Sequence, residues 1–368
     1  MSSRPTTPGA HAASPATPSR AWGSVRTVYL VLSCDVDPDR AGVVAGTPSD
    51  RLAWRGMTEG IPALKARLRD VADDEGREPV FTWLLRADEQ ILELEGAYAW
   101  ALRAHRRLLA SLQDSGDELG WHPHFWRRAA PHAPWVQELA DVDWQVEMLR
   151  RAHADFATGF AGPPRSVRMG WSYHNNRTYG TLEELGVAVE CSAIPGYRTL
   201  RRSAPAAKEN LFDWYTTPRA PYRPSRADYR RPAREGETSS RLTEVPSFVA
   251  TSLPWALVSG VQMARKTGDA GQVWQALRRP TYCINLTARP GYFAPLAAQL
   301  RRALRSAATG PLFFATQFHA DEVVPNRSRL YDLESVRSNL LALLRVCREA
   351  RTPAAFIPAR RLAELWSA

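Results

Sequence analysis

Two patterns of apolar positions alternate along the chain. Runs such as Arg26-Thr-Val-Tyr-Leu-Val-Leu-Ser-Cys34, Pro79-Val-Phe-Thr-Trp-Leu-Leu85 and Pro311-Leu-Phe-Phe-Ala-Thr-Gln-Phe318 are apolar on both faces. They read as strands buried inside a parallel sheet. Between such runs, apolar residues recur three and four positions apart, as with Ile61, Leu64 and Leu68, or Leu102, Leu108, Leu109 and Leu112. That spacing predicts helices over about 60–72 and 98–113. The same reading puts further strands at 118–124, 165–170, 187–191, 242–248, 281–287 and 353–358. It puts helices at about 141–157, 179–185, 255–278, 293–307 and 333–350. Strand and helix in regular alternation predict a parallel sheet with helical crossovers, and 368 residues is an ordinary length for one α/β barrel.

Two stretches break the pattern. Residues 1–24 are rich in Ser, Thr, Pro and Ala and read as a disordered tail ahead of a domain over 25–368. Residues from about 197 to 241 are rich in Arg, Pro, Tyr and Ser with little periodicity. They read as a long insertion in the barrel and a candidate cover for its mouth. The tail has no apolar run suited to a signal-peptide core, and no stretch of about 20 apolar residues follows, so a cytoplasmic protein without a transmembrane segment is expected.

Charge changes the picture little. The net charge is +10, but only Lys65, Lys208 and Lys266 are lysines, and the arginines are scattered among Ala, Pro and acidic residues. Such scatter argues against specific nucleic-acid binding. Cys34, Cys191, Cys283 and Cys347 form no CxxC pair and sit in apolar surroundings, so they read as small buried side chains, neither bridged nor ligating.

The chemistry gathers where the strands end. Asp35 and Asp37 follow the first strand, Arg86 and Asp88 the second, and His122 and His124 the third. Arg168, Glu190, and His319 with Asp321, follow later ones. Barrel enzymes carry their active sites at the C-terminal ends of parallel strands, so these groups should converge. On a strand, residues two apart share a face, which would aim both imidazoles at one point. Two His and one carboxylate can hold a divalent ion with open positions. A second carboxylate can take a proton from water, and another His can protonate a leaving group. Together these groups could hydrolyse an amide or an ester. Trp121, Trp126, Trp171 and Tyr173 flank them as candidate surfaces for stacking on sugar rings. His174, beside Asn175 and Asn176, reads as a loop polar group.

These residues resemble the motifs of the polysaccharide deacetylases, the NodB-homology carbohydrate esterase superfamily, from about Tyr29 to Asp321. Asp35-Val-Asp37 resembles the first motif and Gly120-Trp-His-Pro-His124 the metal-binding motif. Val167-Arg168-Met-Gly-Trp171, Glu190-Cys-Ser192 through Pro195-Gly196, and Phe318-His319-Ala-Asp321 resemble the later ones. Two departures stand out. The family spaces its His ligands by four, a place Trp126 takes here, and Glu190 stands where Asp is usual. The resemblance implies a distorted (β/α) barrel of about seven strands that removes acetyl groups from an N-acetylated sugar or glycan. By position, Asp35 would be the base, with Arg168 holding it ionised, and His319 the acid. Asp37, His122 and His124 would hold one divalent ion, zinc foremost, with cobalt or nickel also accepted. Trp126, Trp171, Arg86 and Asp88 are the candidate substrate contacts, and Glu190 a supporting residue. The same site could serve another small amide or a cyclic ureide, or survive as a glycan-binding relic without turnover.

Overall fold

The computed structural model describes residues 26–39, 52–130, 133, 135–199, 212–306, 310–324, 328 and 330–367. The expected tail and residues 200–211 of the expected insertion lie outside the described residues. Eight parallel strands form the main sheet: β1 (Val28–Val36), β2 (Thr82–Arg86), β3 (Glu118–His122), β4 (Ser166–Val167), β5 (Val189–Glu190), β6 (Thr243–Glu244), β7 (Leu312–His319) and β8 (Ala354–Ile357). Seven run in the order β6-β5-β4-β3-β2-β1-β7. The eighth, β8, shares one edge of β1 with β2: it pairs with Val28–Val31, while β2 pairs with Ser33–Val36.

The sheet curls toward a barrel. Past β6, Phe248 N donates to Ala315 O of β7 at 2.8 Å, so backbone from the two edge strands meets across the gap. The outer side of β6 is occupied too, by an antiparallel bridge from Tyr222 to Glu244. The architecture is the curled half-barrel of parallel strands that the alternating pattern led us to expect.

Helices α1 (Ile61–Arg67), α2 (Glu89–Glu95), α3 (Trp100–Ala104), α4 (Arg106–Asp114), α5 (Val142–Ala157) and α6 (Asn176–Glu184) lie in the first half of the chain. Helices α7 (Leu253–Thr267), α8 (Gly271–Arg278), α9 (Pro290–Leu304), α10 (Leu333–Glu349) and α11 (Ala359–Ser367) follow. Side-chain caps set several starts: Asp88 accepts from Ile91 N, Asp141 from Trp144 N and Asp332 from Ser335 N.

Some boundaries differ from the sequence reading. The helix expected over 255–278 is two, because Gly268 takes a left-handed φ of +69° and Asp269 then accepts from Gly271 N. The helix expected over 98–113 is broken at His105, and α2 and α11 were not anticipated. The strand expected over 281–287 is absent from the main sheet. Thr281–Tyr282 pairs antiparallel with Ala250–Thr251 instead, and the rest is a loop whose Leu286 N donates to Gln317 O. β3 stops at His122 because Pro123 has no N–H for the ladder.

Gly120 allows β3 to lie close to its neighbours. A Cβ there would sit 2.7 Å from Leu84 Cδ2 and 2.8 Å from the Ser166 carbonyl oxygen of β4. Gly120→Ala is therefore expected to cost about 1–3 kcal/mol in chemical denaturation. An unchanged midpoint would mean that β3 and β4 are not packed this tightly.

Candidate functional site

Parallel pairing sets the strand ends side by side. Asp35 is in register with His319 on β7 and with Leu84 on β2; Arg86 is in register with His122 on β3. The carboxylates come first. Ser33 and Asp35 share one face of β1, and both are bound by one guanidinium. Arg168 Nη1 donates to Asp35 Oδ1 and Nη2 to Ser33 Oγ, each at 2.7 Å, while Nε donates to Cys191 O at 2.9 Å. Burial pushes the Asp35 carboxyl up, but Arg168, then His122 and His319, outweigh it and hold it below its ordinary value.

His122 is oriented from behind: its Nδ1–H donates to Arg168 O at 2.8 Å, which leaves Nε2 facing the site. His124 lies beyond the strand, so the shared-face argument does not apply to it. Its ring instead lies against Gly170, where a Cβ would be 2.1 Å from His124 Cγ. This puts the two Nε2 atoms 3.1 Å apart with the rings near perpendicular, and each Nε2 is 3.7 Å from an Asp37 oxygen. Burial, then Arg86 and His122, drive the His124 pKa well below the usual value, so the ring is neutral.

Among the described residues, Asp37, His122 and His124 are the group whose ligand atoms lie within 4.8 Å of one another. Their chemistry fits a divalent ion. Two imidazoles and a carboxylate are ordinary zinc ligands, and nitrogens bound at about 2.0–2.1 Å to one ion sit about 3 Å apart. The local charge also fits. Three buried carboxylates, Asp35, Asp37 and Asp88, meet two buried guanidiniums: Arg168 pairs with Asp35, and Arg86 is shared between Asp88 at 2.6 Å and Asp37 at 3.2 Å, which leaves one negative charge over in this group.

Of the two further expected substrate contacts, Arg86 lines the pocket and Asp88 is not among its lining residues. Arg86 is 2% exposed and spends its donors on Asp37 at 3.2 Å, Asp88 at 2.6 Å and Gln90 at 2.7 Å. Asp88 is fully buried, accepting from His124 N as well as capping α2. The pair holds Asp37 and the His124 backbone in place. Glu190 is likewise turned away from Arg168 and the site histidines. It accepts from Ser192 N and Ser192 Oγ, and it faces His174 Nε2 at 3.3 Å. His174 is buried, not a loop polar group, and lies between Tyr179, Trp214 and Tyr229.

His319 and both tryptophans do reach the pocket. His319 Nδ1 lies 3.3 Å from Asp37 Oδ2. The pocket, of about 480 Å³, opens over Asp35, Asp37, His122, His124 and His319 and is flanked by Trp126 and Trp171. The two indoles meet edge to face at 6.3 Å, and Trp126 stacks beside His124. Trp171 and Ser172 hold left-handed φ values of 58° and 56°, a strained backbone of the kind that collects at functional sites. Trp121 is core, with its Nε1 donating to Ala87 O. The sequence reading missed Ser33, Gly170, Phe212, Met263 and Gln317. Ser33 and Gln317 stand two residues before Asp35 and His319, so the strand period could have found them. The other three carry no local signal.

No family model matches the chain, and no curated protein matches it. Among solved structures, the chain is similar to a candidate glycoside hydrolase/deacetylase from Parabacteroides distasonis: TM-score 0.53, 15% identity, 93% of this chain and 71% of that chain covered. The fold they share is a distorted (β/α) barrel. Weaker likenesses join it. A candidate polysaccharide deacetylase from Mycobacterium smegmatis gives TM-score 0.47 at 16% identity, covering 96% of this chain and 94% of that one. A GH57 branching enzyme from Thermococcus kodakaraensis gives 0.41 at 11%, covering 94% and 72%. The likeness extends to the fold and leaves the chemistry to the site residues. No helix among the described residues is long and apolar enough to cross a membrane.

Removing Arg168 leaves Asp35 charged, buried and unpaired. Arg168→Met is expected to destabilise the protein by about 3–5 kcal/mol, read by urea denaturation. A loss below about 1 kcal/mol would show that water reaches and solvates Asp35.

Proposed function

We propose that the protein is a metal-dependent amide hydrolase that removes an acetyl group from an N-acetylated sugar. The observation that carries this reading is the Asp37–His122–His124 ligand set beside the arginine-held Asp35, on the floor of one pocket. Bound between those ligands, a divalent ion such as zinc supplies a Lewis acid for the amide carbonyl and acidifies water. The rest is work for the chain's own residues. Asp35, kept ionised by Arg168, takes the proton of the attacking water through its second oxygen, which lies 3.9 Å from His122 Nε2. His319 has Nδ1 toward Asp37, so the proton it gives the leaving nitrogen sits on Nε2. Trp126 and Trp171 offer ring faces for the sugar. Arg86 and Asp88 act at one remove, by fixing Asp37 and the backbone of His124.

Elemental analysis tests the ligand set. The purified protein should hold about one equivalent of a divalent metal, and His122→Ala and Asp37→Ala should lose it. Absence of metal after reconstitution would leave a glycan-binding relic as the better reading. Gly170→Ala should lower metal occupancy without altering a ligand, because its methyl group occupies the place of the His124 ring. Gly180→Ala, which meets nothing within 4 Å, serves as the control. Equal occupancy in the two glycine variants would refute the role given to Gly170. Asp35→Asn and His319→Ala should retain the metal yet release acetate roughly 10²–10⁴-fold more slowly. Near-wild-type rates in both would overturn the assigned roles.

A further inference from the structure

The pocket's lining is of two chemical kinds. Its polar side chains come from the ends of β1, β2, β3 and β7, together with Arg168 and Ser172 past β4, and most are committed to one another. The rest of its lining is largely apolar: Met169, Ile194, Tyr197, Phe212 and Met263, with the indoles of Trp126 and Trp171. Tyr197 adds no open hydroxyl: its OH donates to Thr281 O at 3.2 Å and accepts from Cys283 N at 3.1 Å, so it presents its ring. Outside the proposed catalytic groups, the polar side chains lining the pocket without a hydrogen-bond partner among the described residues are Gln317 and Ser172.

This inventory suits some sugar ligands and not others. A glycan strand presents several hydroxyls per residue, and each needs a partner when it leaves water, or costs about 1–3 kcal/mol. Two open polar side chains can serve one ring. Among the described residues they are too few for a run of rings, and a pocket of about 480 Å³ falls in the range for a single compact ligand. The apolar lining then needs apolar substance against it, since a hydroxylated ring edge placed there would lose its water without replacement.

We propose, building on the amide-hydrolase reading, that the substrate is a single N-acylated amino sugar bearing an apolar substituent, and not an internal segment of a polysaccharide. The substituent lies against Tyr197, Phe212 and Met263. Gln317, two residues before His319 on the same face of β7, bonds the sugar ring. The apolar group is carried on one side of the amide, as a longer acyl chain or as an apolar aglycone.

Tryptophan fluorescence can follow binding, because Trp126 and Trp171 line the pocket. The full chain would be titrated with N-acetylglucosamine, its linear tetramer, N-hexanoylglucosamine and the octyl β-glycoside of N-acetylglucosamine. Release of acetate or hexanoate would be measured in parallel. One of the two apolar probes should bind at least about tenfold more tightly than N-acetylglucosamine. Which one does so places the substituent on the acyl or the aglycone side. The tetramer should bind no better than the monomer. Phe212→Ser and Met263→Ser should each cut the apolar gain to under about threefold. A tetramer bound tenfold more tightly than the monomer, or no gain from either apolar group, would overturn the proposal. If N-acetylglucosamine were still hydrolysed in that case, the deacetylase reading would stand alone. If no probe were bound or cleaved, both would fall.

Discussion

The site depends on a buried contact that a flat sheet could not make. Arg168 follows β4 and Asp35 ends β1, three places apart in the strand order. Strands spaced about 4.8 Å would separate them by roughly 14 Å in a flat sheet. Their 2.7 Å ion pair exists because the sheet curls and turns its strand ends inward. The same curl brings His122, two strands from β1, within reach of Asp37. The pair in turn braces the curl, because parting the two strands would leave two unpaired charges in a dry interior.

Charge balance explains why so many ionised groups can share this interior. Arg168 answers Asp35 and Arg86 answers Asp88, and both pairs are held by further hydrogen bonds to backbone or neutral side chains. Satisfied pairs of this kind are tolerated where single charges are not. Asp37 is the exception. Its contacts with Arg86 and His319 are longer, at 3.2 and 3.3 Å, and it stands beside the imidazoles of His122 and His124. A surplus of one buried negative charge next to two imidazole nitrogens is an arrangement that a cation completes.

Behind Arg168 lies a second buried polar group that holds the strand ends without joining the pocket. Glu190 binds Ser192, and Ser192 Oγ accepts from Met169 N, the residue after Arg168. Glu244 on the next strand accepts from Ala193 N and from Tyr179 OH. Burial, then the neighbouring Glu190, pushes the Glu244 carboxyl well above its usual value, so the two carboxyl groups are not both ionised. The added methylene of Glu190 is thus absorbed in this network, and its effect on Arg168 passes through Ser192 and the backbone.

The alternation of doubly apolar runs with helical spacing determined the class of fold, since each pattern can bury itself in only one way. It also placed Asp35, His122, Arg168 and His319 at strand ends, where parallel strands converge whatever their exact order. Period two within β1 and β7 contained Ser33 and Gln317 as well. What the sequence could not decide is which backbone or side chain each group would meet. The 281–287 run looks like a barrel strand, because pairing partners leave no mark on the strand itself. His124 reaches its place through Gly170, distant in sequence and recognisable only by the side chain it lacks. Arg86, Asp88 and Glu190 have the composition of ligand-binding residues, yet they are taken up by neighbours, some on their own segment and others, such as Asp37, His124 N and His174, brought in by the fold. Local pattern records burial and period. The direction of a charge is set by the countercharge that tertiary folding brings beside it.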